Sequence, residues 1–324
     1  MKISSQLWME ALKFKGLCED LGVSFNRTSI SKALKVNDYE ARSILTLFSN
    51  LNILDRAPET PIKKIKKRIL LAGDFHCGHV AGLTPPEYQI NEDPPRYKAL
   101  AAFQRESYLW FYNQIERLKP FHSAFYNGDL IDGRGERSGG SELTTTDRSI
   151  QADIAVSIIR QVNASHNYIT YGTPYHTGNS EDYELLIAKD VDATIASELN
   201  VNINNVIFNV KHKVGGSGTP YGNATPLLKA QLWQKLWADK EERQSANYVV
   251  RSHMHRYVKL EIAGDKHAMV LPALQGAMSK YGQRQCEGNV DFGFGYVDIY
   301  SDGDHRFFPV IMNNKNAAYE IIQG

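Results

Sequence analysis

A chain of 324 residues with 42% hydrophobic and 23% charged residues is not a disordered polypeptide. It can bury roughly three quarters of its unfolded surface, so folding requires neither a disulfide framework nor a structural metal. The net charge of +1 conceals a division, because residues 1–68 carry +6 and the remainder −5, a basic module beside a larger acidic one. Three scattered cysteines, Cys18, Cys77 and Cys286, fit a reducing compartment. Glu10, Lys13 and Lys15 interrupt any signal-peptide core near the N-terminus, and no apolar run approaches the roughly 20 residues of a membrane helix. The expected location is the cytoplasm.

Residues 1–54 read as a small helical domain. Trp8, Ala11, Leu12, Phe14, Cys18 and Leu21 recur at three- and four-residue steps and give a first helix one apolar face. Thr28 or Ser29 is expected to cap a second helix carrying Ile30, Ala33 and Leu34. Asn37, with Glu40 three residues on, forms a capping box for a third helix whose apolar face is Ile44, Leu45, Phe48 and Leu51. The run from Ile30 to Leu54 resembles a helix-turn-helix of the winged kind, which implies DNA contact; a packing or dimerisation module shows the same spacing. Residues 55–68 hold two prolines and then five basic residues. They read as a linker, either a solvated tether or a phosphate-backbone contact.

From residue 69 to 324 the pattern changes. Short apolar strands at 69–72, 124–127, 168–171, 206–210 and 248–250 alternate with helices near 98–117, 147–163, 181–198 and 225–241, the signature of an α/β fold. After His255 come four further strands, at 257–262, 268–271, 295–300 and 306–311. A closing antiparallel portion follows from them.

Each of the first five strands is followed by Asp or His, and ligands of open α/β sheets gather at the carboxyl ends of strands. Asp74 and His76 lie two apart in Gly-Asp-Phe-His-Cys-Gly-His, which on extended backbone points both side chains one way. Such a pair suits a divalent cation. Asp129 follows Gly128 in Gly-Asp-Leu-Ile-Asp, and its two oxygens can bridge two cations. The remaining strand ends deliver His176, His212, and the pair His253 and His255. Any one of these has an ordinary reading as a turn or capping residue. Their joint order does not.

GDFHCGH, GDLID, KHKVGG and RSHMHR together resemble the motifs of the calcineurin-like metallophosphoesterases over about residues 68–310. The resemblance implies a four-layer α/β/β/α sandwich and two divalent cations, Mn foremost, with Fe, Zn or Mg as alternatives. Asp74, His76, Asp129 and His255 would hold one cation; Asp129, His212 and His253 would hold the other. One block departs from the pattern. Where the family has Gly-Asn-His, this chain has Gly172-Thr173-Pro174-Tyr175-His176, so Thr173 replaces the ligand Asn and the His comes two residues late. His176 is then the expected general acid, oriented by Asp132, or else a substitute ligand; Asn179 is a lesser candidate for that ligand. Arg134 could clamp a phosphate oxygen, against the plainer reading of a loop side chain.

The chemistry expected is hydrolysis of a phosphodiester by a metal-bound hydroxide held between cations about 3.5–4 Å apart. The N-terminal module makes nucleic acid, DNA before RNA, the leading substrate. A phosphomonoesterase, a small-molecule phosphodiesterase, a DNA-binding regulator with a decayed enzyme domain, and a scaffold are the alternatives. Cys77 reads as a small packed residue; His79 could contact substrate, against the plainer reading that it does not, and His122, His166, His267 and His305 have no assigned role.

Overall fold

The computed structural model describes residues 24–50, 64–90, 98–177, 182–215, 224–240, 244–262, 265–277 and 290–312, with positions 7, 10, 11, 13–15, 18, 222 and 242 besides. It divides into two compact units, Met1–Lys63 and Lys64–Gly324.

In the first unit, α1 (Arg27–Leu34) and α2 (Asp38–Asn50) are joined by three residues. The cap of α1 is Asn26, not Thr28 or Ser29: its side chain accepts the Ser29 amide, and the Ser29 hydroxyl accepts the Asn26 amide. Ser29 is thus the third helical residue of a capping box, one turn inside the helix. The box before α2 forms as its spacing requires, with Glu40 donating its amide to Asn37 and accepting from the Asn37 amide. Ala11, Ile30, Ala41 and Ile44 form a small core of their own. Trp8, Leu12 and Leu21 of the expected first helix lie outside the described residues, as does Leu51.

The second unit is a four-layer α/β/β/α sandwich. One sheet runs β11-β10-β1-β2-β3-β4, with β1 (Ile65–Ala72), β2 (Ser123–Asn127), β3 (His166–Thr170) and β4 (Ala193–Ala196) parallel, closed by antiparallel β10 (Gly293–Tyr300) and β11 (His305–Ile311). The other runs β5-β6-β7-β9-β8, with β6 (Val206–Val210), β7 (Tyr248–Arg251) and β9 (Lys266–Val270) parallel between antiparallel edges β5 (Leu199–Ile203) and β8 (Val258–Ile262). The two-residue period of a strand sorts the side chains between layers. Ile69 and Leu71 of β1 enter the core between the sheets with Phe125, Phe208, Tyr248 and Val250. Leu70 and Ala72 face the other way, onto α3 (Lys98–Leu118), α4 (Arg148–Val162) and α6 (Tyr183–Asp190). The outer face of the second sheet packs Val249 and Val270 against Leu227 of α7 (Thr225–Asp239).

Two expectations change. The helix placed at 181–198 stops at Asp190, and β4 and β5 follow. Thr194 and Ile195 are β-branched and gain a ladder with β3, which outweighs the helical period. The basic linker also yields its last residues to the sheet, because β1 begins at Ile65. Within it, Arg68 makes a two-pronged ion pair with Asp298 at 2.7 and 2.8 Å and donates to the Leu118 carbonyl. That guanidinium is spent on a carboxylate inside the fold, not on a phosphate.

Candidate metal centre

The six expected ligands sit in loops leaving β1, β2, β6 and β7. Five of them have left-handed backbone: Asp74 (φ 51), His76 (φ 46), Asp129 (φ 50), His253 (φ 76) and His255 (φ 53). They are half of the ten non-glycine residues so described. The expectation of extended backbone with alternating faces is therefore corrected. Each conformation costs a residue with a Cβ on the order of 1 kcal/mol or more, and such strain concentrates where function fixes a side chain. Neighbouring loops hold these conformations: the Asp74 amide donates to Gly128, and the His76 amide to Asp129. Gly128, itself at φ 72, leaves room for the His212 ring, whose Nδ1 would lie 2.5 Å from an added Cβ.

Asp74, His76 and His255 form one cluster. Asp132 Oδ1 lies 2.8 Å from His76 Nδ1, so that nitrogen carries the proton and Nε2 presents a lone pair. His76 Nε2 is 3.2 Å from His255 Nε2, which is 3.4 Å from Asp74 Oδ1. Burial, then the neighbouring His176 and His255, hold the His76 pKa well below its usual value, so it stays neutral. A neutral imidazole is the ligand-competent form. Asp74 Oδ1 is buried and has no hydrogen-bond donor among the described residues.

Asp129, His212 and His253 form a second cluster. His212 Nδ1 donates to the Asn127 carbonyl at 2.7 Å, which turns Nε2 toward Asp129 Oδ2 at 3.0 Å. His253 Nδ1 stands 4.0 Å from the same oxygen. Burial opposes charge on His212, but the Asp129 carboxylate outweighs it and raises the pKa to about 10. Burial likewise opposes charge on Asp129, and His212 reverses this and lowers it. Together they keep one proton where a cation could sit, and among the described residues His212 Nε2 makes no hydrogen bond of acceptable geometry. A cation could take the place of that proton, and the buried Asp74 Oδ1, an acceptor without a donor among the described residues, is likewise what a cation requires of its site. The donor set of imidazole and carboxylate suits Zn, Mn or Fe.

The remaining predicted residues surround these clusters. Asp132 was expected to orient His176. Its carboxylate instead sits closer to His76, at 2.8 Å against 3.6 Å from His176 Nδ1. His176 Nδ1 donates to the Asp132 backbone carbonyl at 2.8 Å, so Nε2 is the ring nitrogen not engaged by that bond. It lies on a single helical turn, α5 (Pro174–Thr177), not at a strand end. Its ring is 4.6 Å from that of His76. Thr173, standing where the family has Asn, turns to Asp129: its amide donates to Oδ1 at 2.6 Å and its hydroxyl at 3.1 Å. Arg134 is exposed, between Gly133 and Gly135, both at positive φ. Asn179 lies outside the described residues. Cys77 is fully buried, as a packed residue should be. His79 is buried too, accepts the Ala81 amide, and burial holds its pKa at about 4.

Two supporting residues carried no sequence signal. Glu184 on α6 is completely buried and accepts the Leu130 amide through one oxygen and the Gly172 amide through the other. It ties the Asp129 loop to the Thr173 loop. Burial, then the charge of Asp129, pushes its pKa to about 8. Gln151 binds both the amide and the carbonyl of Gly133, fixing the turn after Asp132. Each is a polar residue inside an otherwise ordinary helix, so only its partners reveal its task.

No family model matches this chain, and no curated protein matches it. Solved structures of similar fold include Vps29 of Entamoeba histolytica complexed with zinc, at 14% identity, covering 75% of this chain and 98% of that one with a TM-score of 0.39. A structure described as a novel archaeal phosphodiesterase shares 12% identity, covers 75% and 99%, and has a TM-score of 0.36. A predicted phosphoesterase of Streptococcus pneumoniae shares 12%, covers 75% and 98%, and has a TM-score of 0.32. Scores this low carry no chemistry, which is read from the chain's own residues.

Proposed function

We propose that the chain is a two-metal phosphoesterase of the calcineurin-like kind, acting on phosphodiester bonds with nucleic acid as its substrate. Two observations carry the reading: His212 Nε2 and Asp129 Oδ2 face each other at 3.0 Å, and buried Asp74 Oδ1 has no donor among the described residues. Asp74, His76 and His255 would hold one cation and Asp129, His212 and His253 the other. Bound cations would supply an activated water as nucleophile and neutralise the phosphoryl oxygens.

The chain's own residues supply orientation and a proton. Asp132 fixes the His76 ring, and the Asn127 carbonyl fixes that of His212. Thr173 binds Asp129 most closely at Oδ1, and Oδ2, 3.4 Å from the same hydroxyl, is turned to His212. His176 keeps Nδ1 on the Asp132 carbonyl, so its Nε2 would donate a proton to the departing oxygen. Arg134 would meet a phosphate oxygen. Nucleic acid as substrate is supported by the pairing of α1 and α2, two short capped helices joined by three residues.

The test is hydrolysis of bis-aryl phosphates and of DNA with Mn²⁺, in the parent and in Asp129→Asn. Turnover of both, lost in the variant, supports the proposal. Release of phosphate from monoesters alone would make the protein a phosphomonoesterase, and absence of turnover with every divalent metal would make it a regulator.

A further inference from the structure

Besides the metal centre, the second unit has a cleft of about 570 Å³ between α7 and the carboxyl end of the second sheet. Its lining carries four basic side chains, Lys211, Lys213, Lys229 and Arg251, against one acid, Glu198. Trp233 and Trp237 form its α7 wall, their rings 6.4 Å apart and inclined by 26°. The charge excess selects an anion, and the indole faces select one that carries flat rings.

The floor is built rather than incidental. Arg251 is buried and held by the Asn209 carbonyl, the Asn209 side chain and the Val250 carbonyl. Glu198 accepts from Asn209 and Gln234, and Lys211 stands 3.6 Å away, so the one acid is engaged by the cleft's own groups. Trp233 is 51% exposed although its neighbour Gln234 is buried. An indole presented to water on a fixed helix is a stacking platform.

The cleft and the metal centre share one segment. Leaving β6 at Val210, the chain sends Lys211 and Lys213 into the cleft and His212, between them, into the metal centre. The two cleft lysines thus flank in sequence the residue that faces Asp129.

We infer that this cleft binds a single-stranded segment of nucleic acid, with a base stacked on Trp233 and phosphates on Lys213 and Lys229. A strand combines flat rings and regularly spaced phosphates, which an acidic peptide does not. The inference rests on the phosphodiesterase reading for the fate of the strand, while the binding itself stands on the cleft.

The experiment uses the full chain in EDTA, with a fluorescein-labelled oligothymidylate followed by anisotropy over a range of salt. Trp233→Ala weakens binding on the order of tenfold, and Trp233→Phe keeps most of the affinity, since a stacked base is sequence-tolerant but needs a π-face. Lys229→Gln and Lys213→Gln each lower the salt slope by about 0.7. Because Trp233 and the lysines are exposed, the variants should keep the parent's unfolding temperature; were Trp233→Ala to lose it, Trp233→Phe and the lysine variants carry the test. Equal affinities and equal slopes throughout would overturn the inference, even if the oligonucleotide binds elsewhere on the chain. Cleft-dependent binding by a protein that hydrolyses no ester with any metal would overturn the proposed function and leave the cleft standing.

Discussion

His212 and Asp129 meet as two buried groups with the Nε2–Oδ2 distance at 3.0 Å and the other ring nitrogen already bonded to the Asn127 carbonyl. The ring cannot turn away without orphaning that carbonyl. The pair is therefore held in a geometry that only a proton or a cation can satisfy.

Asp129→Asn should remove metal binding and activity without unfolding the protein. The amide can donate to His212 Nε2, so the buried pair gains a neutral hydrogen bond. Loss of a partner to a ligand typically costs 10–100-fold, and loss of a ligand should exceed about 100-fold in kcat/KM. Activity assays beside thermal unfolding check this. A large fall in unfolding temperature would show that the pair serves the fold.

Asp132→Asn and His176→Gln should separate by readout. Asp132 orients His76, so its loss should weaken metal affinity by about 10–100-fold, as titration calorimetry would read. His176 should instead lower kcat by roughly 10²–10⁴-fold for poor leaving groups, with little effect on p-nitrophenolate release. Equal effects on both leaving groups would remove His176 from the acid role.

Glu184→Ala should destabilise the protein, because the amides of Leu130 and Gly172 lose their acceptor. Each orphaned amide costs roughly 1–3 kcal/mol, which urea unfolding resolves. Unchanged stability would mean that water replaces the carboxyl group.

His79 predicts a pH dependence with a definite sign. Burial lowers its folded pKa to about 4, while the unfolded chain takes up a proton near 6.5. Its contribution is complete above about pH 6.5 and is lost as pH falls toward 4, up to roughly 3 kcal/mol. His79→Asn, which keeps an acceptor for the Ala81 amide, should flatten this part of the curve. Urea midpoints in EDTA at pH 7 and pH 5 measure the difference.

Arg68→Met should cost about 3–5 kcal/mol, because it leaves the Asp298 carboxylate buried and unmatched. Arg68→Met with Asp298→Leu should recover most of that loss. Denaturant midpoints of the three proteins decide it.

Apart from β4 and β5, the sequence alone determined the strand and long-helix order of the second unit and the identity of the clustered Asp and His residues, because apolar period and strand-end position are local properties. Val206–Val210 was legible to the residue. The tertiary structure decided how those side chains meet. Left-handed backbone at Asp74, His76, His253 and His255 depends on hydrogen bonds between loops remote in sequence, so extended geometry was the wrong local reading. Asp132 engages His176 through its backbone carbonyl and turns its carboxylate to His76 for the same reason, since a distance between loops has no period to betray it. Glu184 and Gln151 were invisible because their partners are backbone groups, which every residue possesses. The end of the helix at Asp190 was decided by pairing with β3, a contact made only after the sheet exists.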